Sequence, residues 1–309
     1  MENVSASNRR YYLVLTGASA AWGVASVISK QAVAEIPPVA LLPIQLTTSL
    51  LVLGTLMRVE GPQRWSRGTM PLALLGFMNP GLSYALGLVG LSQITASLSV
   101  VLWATEPVMI LVLAAMVLRE TITKSLALAI GLTSVGVLLA AGDASSGTLL
   151  GISFTLAGVA ACAIYTVISR RWMREDSTLV VITAQQTCAL IFALGLLGAF
   201  ILRGESFAVS GWSGGAWASA VVSGVLYYAL AFWLYLTGLR RISAAFAGMF
   251  LNLIPIFGIS TGYLLGERLS NLQLLGAVLI VGAVGSMLWA RVRSLSLTAQ
   301  TSSIIVDGR

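Results

Sequence analysis

The chain has 309 residues, of which 57% are hydrophobic and 9% are charged, and its formal net charge is +7. A soluble domain carries about 25% charged residues, so this composition indicates an integral membrane protein with no room for a soluble catalytic domain. Since the chain has no histidine and only two cysteines, haem ligation, histidine-based metal sites and a disulfide framework are excluded. We therefore expect no enzyme, no cofactor and no metal site.

Apolar stretches of about 20 residues, the length that crosses a bilayer, recur along the chain. We predict an all-α integral membrane protein of ten transmembrane helices, spanning residues 12–33, 39–57, 71–90, 96–118, 125–141, 148–169, 177–202, 216–237, 244–265 and 272–290. Residues 1–11 and 291–309 remain as an N-terminal and a C-terminal tail.

Basic residues lie almost entirely on one side of this arrangement. Of the 18 lysines and arginines, 15 fall on the side of the two tails, and only Lys30, Arg203 and Arg268 fall on the other. Because basic loops stay in the cytoplasm, we predict that both termini are cytoplasmic and that the protein lies in the inner cell membrane. The topology thus explains the positive charge of the chain. We expect the protein to contact the lipid bilayer and no nucleic acid.

The first three spans contain several polar or aromatic candidates. Trp22 lies in the first span, and Gln45 lies near the proline Pro43 in the second. The third contains Asn79, Pro80 and Tyr84. A proline inside a helix removes a backbone donor, so Pro43 and Pro80 predict kinks. A glutamine in lipid lacks partners, so Gln45 is expected to face inward, either toward a substrate or as a contact between helices.

The fourth span contains an acidic residue beside a proline, Glu106-Pro107, at a depth that should be mid-membrane. A lone charge there costs a few kcal/mol, which favours a wet cavity, a protonated state or a polar partner. As one helix, the span would place Ser99, Trp103 and Glu106 on a single face. Three roles are open for Glu106: binding a substrate ammonium, carrying a coupling proton, or making a structural hydrogen bond at the kink.

The second half offers matching candidates: Tyr165, Gln185, Tyr228, Asn252 and the predicted kink at Pro255. With those of the first half, they provide aromatic faces, neutral hydrogen-bonding groups and one carboxylate. An aromatic amino acid needs such a set, because its ring stacks on Trp and Tyr and its ammonium binds a carboxylate or a ring face. We predict that these residues bind the substrate.

The two halves resemble each other. Val27-Ile28-Ser29-Lys30 and Val167-Ile168-Ser169-Arg170 lie 140 residues apart, as do Gln45 and Gln185, and Pro107 precedes Pro255 by 148 residues. Each half, 12–141 and 148–290, contains five spans, an odd number, so the second must enter the membrane from the opposite side. We predict an inverted-topology repeat, which is common in secondary transporters.

Several of these residues match a known family. Tyr228-Ala229-Leu230, Leu239-Arg240-Arg241-Ile242, Pro255 and Leu265-Gly266-Glu267-Arg268 resemble the EamA-type drug/metabolite transporter superfamily, whereas Arg119-Glu120 stands where the family usually has Gly-Glu. The resemblance covers roughly residues 12–290, and within the superfamily the chain looks most similar to the aromatic amino-acid exporters. It implies ten helices around a central cavity and export of metabolites by alternating access.

Two transport functions remain open, and the sequence is compatible with a monomer. The first is export of aromatic and other bulky neutral amino acids, and the alternative is proton-coupled export of lipophilic cationic drugs or other metabolites. No arginine or lysine lies deep in a span, which argues against sugar phosphates and nucleotide sugars, because multiply charged substrates need buried cations. Membrane enzymes that rely on clustered acidic residues or on histidine are also disfavoured, because the chain has no histidine and no such acidic cluster in its spans.

Overall fold

A computed structural model of the chain describes residues 6–61, 69–118, 124–141, 148–172, 177–239, 250–286 and 289. The C-terminal tail, the loop with Glu120 and residues 240–249 are part of the predictions above and lie outside the described residues. Within these ranges the regular elements are helices.

Six described segments are long and apolar enough to cross a membrane: Arg10–Val33, Pro38–Glu60, Thr69–Gln93, Leu149–Ser169, Thr178–Leu202 and Gly214–Gly238. Four shorter apolar helices, Ala96–Ile110, Leu128–Ala140, Ile254–Leu264 and Asn271–Ser286, fall where the other four spans are predicted. The prediction of an all-helical membrane protein is confirmed. Helices suit this setting because they satisfy their backbone hydrogen bonds internally, which lipid requires.

In chain order the helices are α1 (Ala6–Val33), α2 (Pro38–Glu60), α3 (Thr69–Leu74), α4 (Ser83–Gln93), α5 (Ala96–Trp103), α6 (Glu106–Leu118), α7 (Lys124–Ala141), α8 (Leu149–Trp172), α9 (Thr178–Leu202), α10 (Gly214–Gly224), α11 (Ala231–Leu239), α12 (Ile254–Leu264) and α13 (Asn271–Ser286). Helix α1 begins at Ala6, six residues before the predicted span. The polar residues before the span continue the helical hydrogen bonds, which a hydropathy criterion does not detect.

The third and the eighth spans are interrupted by π-helical stretches. Residues Met78–Leu82 join α3 to α4 after a short 3-10 turn, and Asn79 leaves helical geometry there with φ −143° and ψ 121°. Residues Val225–Leu230 join α10 to α11 in the same way. Such π-bulges are frequent at functional sites, because they widen the helix and free backbone groups.

The fourth span, predicted over 96–118 with a kink at Pro107, is interrupted directly before that proline. Helix α5 ends at Trp103, a turn follows, and α6 begins at Glu106. The cause is Pro107, which has no N–H to bond the carbonyl of Trp103 one turn earlier. Ser99, Trp103 and Glu106 therefore do not share one continuous helix face.

The other intramembrane prolines differ in their effect. A turn also precedes Pro255, because α12 begins at Ile254 directly after Asn252 and Leu253. By contrast, α2 continues through Pro43. Pro107 and Pro255 thus coincide with breaks, as does Pro80, whereas Pro43 lies inside an uninterrupted helix.

The two halves cross at glycines of their third spans. A Cβ at Gly76 would overlap the backbone of Gln185 in α9, and a Cβ at Gly224 would lie 2.7 Å from the carbonyl oxygen of Gln45 in α2. Each glycine therefore permits a close backbone approach to the second span of the opposite half. A buried apolar cluster that includes residues of α1, α2, α4, α9 and α10 fills the region between them.

Candidate functional site

A small pocket lies between the helices near the middle of the molecule. It is lined by Ser26 and Ser29 of α1, Tyr84, Gly87, Leu88 and Leu91 of α4, Ser99 and Trp103 of α5, and Tyr227 and Tyr228 of the second π-helical stretch. Its volume is about 20 Å³, enough for a single water molecule and far too small for an amino acid. The pocket therefore has no room for such a molecule in this structure.

Aromatic rings form most of the pocket wall, with Tyr84 at their centre. The Tyr84 ring stacks on Trp103 with 5.4 Å between centroids and 20° between planes. It contacts Tyr227 and Tyr228 edge to face, each at 5.2 Å. Both arrangements are favourable for aromatic pairs. A planar ring inserted between Tyr84 and Trp103 would find the same kinds of partner on both of its faces.

Hydroxyl groups line the pocket beside these rings. Ser29 accepts a hydrogen bond of 3.0 Å from the amide of Gln45, and Ser26 donates one of 2.9 Å to the carbonyl of Trp22. Ser29 keeps its own proton available for an acceptor in the pocket, because its oxygen is already the acceptor in the bond with Gln45. The pocket thus combines ring faces with uncharged polar groups.

Glu106 lies outside the lining of this pocket but close to it. The thiol of Cys162 in α8 donates a hydrogen bond of 3.3 Å to its carboxylate oxygen. Its charge acts on Tyr84, Tyr165 and Tyr227, so it lies within electrostatic range of the aromatic cluster. As the first residue of α6, it also meets the positive end of that helix dipole, which favours an anionic side chain.

The two paired glutamines connect helices. Gln45 donates to Ser29 and, at 2.7 Å, to Ser223 of α10. Gln185 accepts from the Tyr165 hydroxyl at 3.0 Å and donates to the carbonyl of Leu72 at 3.1 Å. These bonds match the interpretation of Gln45 and Gln185 as contacts between helices, and they place neither side chain in the pocket lining.

The remaining predicted residues are distributed around the pocket. Trp22 packs against Phe232 and Tyr235, and its indole N–H is buried without a partner in the described structure. Asn79 is buried at the π-helical stretch, where its side-chain oxygen also lacks a partner among the described residues. Asn252 lies in the turn before α12. The structure brings together Tyr84, Ser99, Trp103 and Tyr228, and leaves the other predicted residues outside the pocket lining.

Six of the ten lining residues were not predicted as substrate-binding residues from the sequence: Ser26, Ser29, Gly87, Leu88, Leu91 and Tyr227. Three of them follow a predicted residue by three or four positions, Ser26 after Trp22 and Gly87 and Leu88 after Tyr84, and residues at that spacing lie on the same helix face. Helical spacing from the polar candidates was the signal that would have identified them. Among the described residues, no three His, Cys, Asp or Glu side chains come together as a metal ion would require.

A hydrogen-bonded junction lies beside the pocket, at the end of α1 that carries Lys30. The carboxylate of Glu267, which follows α12, accepts hydrogen bonds from the N–H groups of Ala96 and Ser97, each 2.8 Å, and from the Ser97 hydroxyl at 2.7 Å. It thereby caps the first turn of α5. Lys30 donates to the carbonyl of Leu91 at 2.8 Å and lies within electrostatic range of Glu267. The junction adjoins the pocket, because Lys30 directly follows the lining residue Ser29 and bonds the lining residue Leu91.

The sequence profile of the EamA-like transporter family matches the chain twice, over residues 9–142 and 149–289. The chain is 27% identical over 288 residues to the uncharacterized transporter YetK of Bacillus subtilis (strain 168), covering 88% of this chain and 85% of YetK. It is 26% identical over 269 residues to the uncharacterized transporter YvbV of that organism, covering 85% and 86%.

A third relative and a solved structure complete the comparison. The uncharacterized transporter YyaM of Bacillus subtilis (strain 168) is 24% identical over 203 residues, which cover 64% of this chain and 66%, just under two thirds, of YyaM. A crystal structure of a protein with 19% identity covers 92% of this chain and 98% of its own, with a TM-score of 0.64. At that identity the likeness concerns the fold alone.

Proposed function

The chain belongs to the EamA-like transporter family, and we propose that it exports aromatic and other bulky neutral amino acids by alternating access. The observation that carries the proposal is the stacked pair of Tyr84 and Trp103 in a pocket with serine hydroxyls and no lysine or arginine in its lining. An aromatic side chain can replace one ring-to-ring contact by two, which favours its binding there.

The polar ends of the substrate have partners nearby. The ammonium group would bind the Glu106 carboxylate or the faces of the surrounding rings. The carboxylate would accept hydrogen bonds from Ser29 and Ser99, whereas Ser26 already donates its proton to the carbonyl of Trp22. A zwitterion brings no net charge into the pocket, which agrees with a lining that offers hydroxyl groups and ring faces.

Alternating access requires that the two halves exchange roles, and several features support an inverted repeat. Gly76 packs on Gln185 of the second half, while Gly224 packs on Gln45 of the first. The third span of each half contains a π-helical stretch, and a turn precedes Pro107 and Pro255 alike. The family profile also matches each half separately. We assign the narrow pocket to a substrate-free state, in which the rings around Tyr84 occupy the space that a substrate would need.

The orientation follows from the charge distribution. We propose that both termini are cytoplasmic in the cell membrane, because 15 of 18 basic residues lie on their side. Reporter fusions at Met1 and at Arg309 would give cytoplasmic signals for both. An extracytoplasmic signal from either terminus would contradict the orientation and reverse the direction of transport assigned here.

Counterflow in liposomes tests the substrate. Purified protein is reconstituted with unlabelled tryptophan inside, and labelled tryptophan or leucine is added outside. We expect accumulation of both, with Trp103→Ala weakening tryptophan by about twofold to tenfold more than leucine, since an aromatic pair contributes about 0.5–1.5 kcal/mol. Trp103→Phe should retain most activity, and Trp217→Ala, a tryptophan at the membrane surface, is the matched control. Equal losses for both substrates would contradict ring binding at Trp103.

A second candidate function rests on Glu106. A carboxylate within reach of several aromatic rings also suits a lipophilic cation, which stacks on rings and pairs with the acid. Efflux of a cationic dye that is lost in Glu106→Gln, without counterflow of any amino acid, would favour proton-coupled export of such cations. The two assays on one preparation therefore separate the candidates.

A further inference from the structure

A second and larger cavity lies at the outer face of the helices. Its volume is about 250 Å³, against about 20 Å³ for the central pocket. Apolar side chains of three helices form its walls: Pro38, Val39 and Leu42 of α2, Ala85 and Val89 of α4, and Ala193, Leu196, Ala199 and Phe200 of α9. We call it the lateral groove. Water is disfavoured there, because a buried water needs two to four polar partners.

Two opposite charges lie at the mouth of the lateral groove. Arg203 and Glu205 line it directly after the end of α9, and both side chains are exposed. Within the described structure, neither has a charged partner in an ion pair. The groove therefore offers one free cation and one free anion at the end of an apolar channel.

Neighbouring aromatic residues fix the depth of this mouth in the bilayer. Phe207 stacks on Trp212 at 5.4 Å between centroids, and Trp212 contacts Trp217 at 5.3 Å. Tryptophans and other aromatics collect where the hydrocarbon meets the headgroups. Arg203 and Glu205 thus lie at headgroup level, and the apolar walls extend into the hydrocarbon.

We propose that the lateral groove binds one molecule of a zwitterionic phospholipid with a primary ammonium, of the phosphatidylethanolamine class. One acyl chain fills the groove, the phosphate binds Arg203, and the ammonium binds Glu205. A phospholipid whose headgroup has no cation, such as phosphatidylglycerol, would leave Glu205 without a partner, and a purely apolar molecule would leave both charges unused. The charge pattern at the mouth therefore favours a zwitterionic headgroup. Between the two zwitterionic classes, a primary ammonium can donate hydrogen bonds to the Glu205 carboxylate, which the quaternary ammonium of phosphatidylcholine cannot.

The position of the groove connects this lipid to the transport cycle. Its walls come from α2 and α4 of the first half and from α9 of the second. Helix α4 separates the groove from the central pocket, with Ala85 and Val89 on one side and Tyr84 and Leu88 on the other. A lipid chain in the groove would therefore contact the helix that carries Tyr84, the centre of the proposed substrate site. The binding itself does not depend on which substrate is exported.

Native mass spectrometry of the purified full-length protein tests the proposal. The protein is released from detergent after incubation with phosphatidylethanolamine, phosphatidylglycerol or phosphatidylcholine at equal concentration. We expect one tightly retained phosphatidylethanolamine, with about threefold to fivefold less retention of phosphatidylglycerol, as an exposed charge pair provides. Glu205→Gln should remove this preference, and Arg203→Gln should weaken retention of both lipids.

A variant that fills the groove separates this site from general lipid contact. Ala199 lines the groove and is exposed, so Ala199→Phe should fold and should abolish the retained lipid. Leu194→Phe, at a lipid-facing position of α9 outside the groove, is the matched control and should retain it. Equal retention of all three lipids, or unchanged retention in both Ala199→Phe and Glu205→Gln, would overturn the proposal and indicate unspecific boundary lipid.

Discussion

At the scale of single residues, Glu106 and Tyr84 define the chemistry of the site. Tyr84 organises the rings that would hold an aromatic side chain. Glu106 adds a carboxylate next to that cluster, held by the Cys162 thiol. A weak thiol donor is easily displaced by a substrate ammonium or by a proton, so the carboxylate remains available. A carboxylate with an active role in transport must be able to exchange its partner in this way, whereas a purely structural carboxylate would keep its hydrogen bond throughout the cycle.

The variant Glu106→Gln tests this availability. It retains the shape of the side chain and an acceptor oxygen for Cys162, but it removes the charge. We expect transport in counterflow to fall at least about tenfold, the effect of losing about 1.4 kcal/mol of a charged interaction, while expression and melting temperature stay the same. Glu60→Gln, which neutralises a carboxylate at the end of α2, should transport normally. Normal transport by Glu106→Gln would assign the residue a structural role.

At the residue scale, polar and aromatic residues within apolar stretches identified part of the pocket lining, but the direction in which each side chain points was not predictable. The sequence identified Tyr84, Ser99, Trp103 and Tyr228, which line the pocket. It placed Glu106 on the same face as Trp103, because a continuous helix was assumed across Pro107. The turn before α6 rotates Glu106 toward α8, and no local pattern specifies the size of that rotation.

At the scale of helices, close contacts through small residues hold the two halves together. Without a hydrophobic driving force between helices in lipid, association depends on packing and hydrogen bonds. Gly76 lets the third span approach the backbone of α9 at Gln185. The side chain of Gln185 also donates a hydrogen bond to the carbonyl of Leu72, one turn before Gly76. Packing and hydrogen bonding therefore coincide at this crossing.

The variant Gly76→Ala tests the crossing. The added methyl group would overlap backbone atoms of Gln185, which have little freedom to move, so we expect destabilisation by about 1–3 kcal/mol. The melting temperature in detergent should fall. Gly54→Ala is the matched control, because nothing lies within 4 Å of its added carbon and alanine favours the helix. If Gly76→Ala melts like Gly54→Ala, the crossing is looser than described.

From the junction at Glu267 we predict an effect on how often the protein opens on the side of Lys30. Glu267→Gln keeps one acceptor oxygen but loses the charge and the second acceptor at the α5 terminus. We expect the side of Lys30 to open more often, so that Cys162 in the centre reacts several-fold faster with an impermeant maleimide. The assay uses a Cys188→Ala background, because the chain has two free cysteines.

Glu35→Gln is the control for this experiment, since Glu35 bonds Ser213 on the same side without contacting α5. Its labelling rate should equal that of the parent protein. An unchanged rate in Glu267→Gln would show that the junction only caps α5 and does not control access to the centre.

Hydropathy predicted the existence and order of the helices, but it did not predict their interruptions. Asn79 and Pro80 mark the π-helical stretch of the third span in the sequence, but the eighth span has no proline, glycine or strongly polar residue within Val225–Leu230, so nothing in hydropathy marks that stretch. Prolines marked three of the breaks, whereas α2 continues as a helix through Pro43. A proline removes one hydrogen bond, and neighbouring helices decide whether the backbone then bends.

At the scale of the whole molecule, loops as well as helices connect the two halves. The carboxylate of Glu35, between α1 and α2, accepts hydrogen bonds from the backbone N–H of Ser213 at 2.7 Å and from its hydroxyl at 2.8 Å. Ser213 in turn caps α10 by accepting from Ala216. Paired glutamines and prolines suggested two related halves, but this contact involves two loops without any shared pattern and could not be predicted.

The Glu35 contact predicts a dependence of stability on pH. The backbone hydrogen bond from Ser213, followed by the bond from its hydroxyl, holds the pKa of Glu35 below its ordinary value. A lowered pKa in the folded state gives stability that is present above the ordinary pKa and is lost as pH falls through the lowered one. We expect Glu35→Gln to melt below the parent protein at pH 7, and the difference to vanish at acidic pH. A difference that stays constant with pH would contradict a charged contact.

The small central pocket also has a consequence for the speed of transport. A volume of about 20 Å³ holds one water molecule. An amino acid, the substrate proposed here, needs several times that space, so the rings around Tyr84 must move apart before it can bind. The rate of that movement sets an upper limit on the rate of transport, however tightly the substrate binds afterwards.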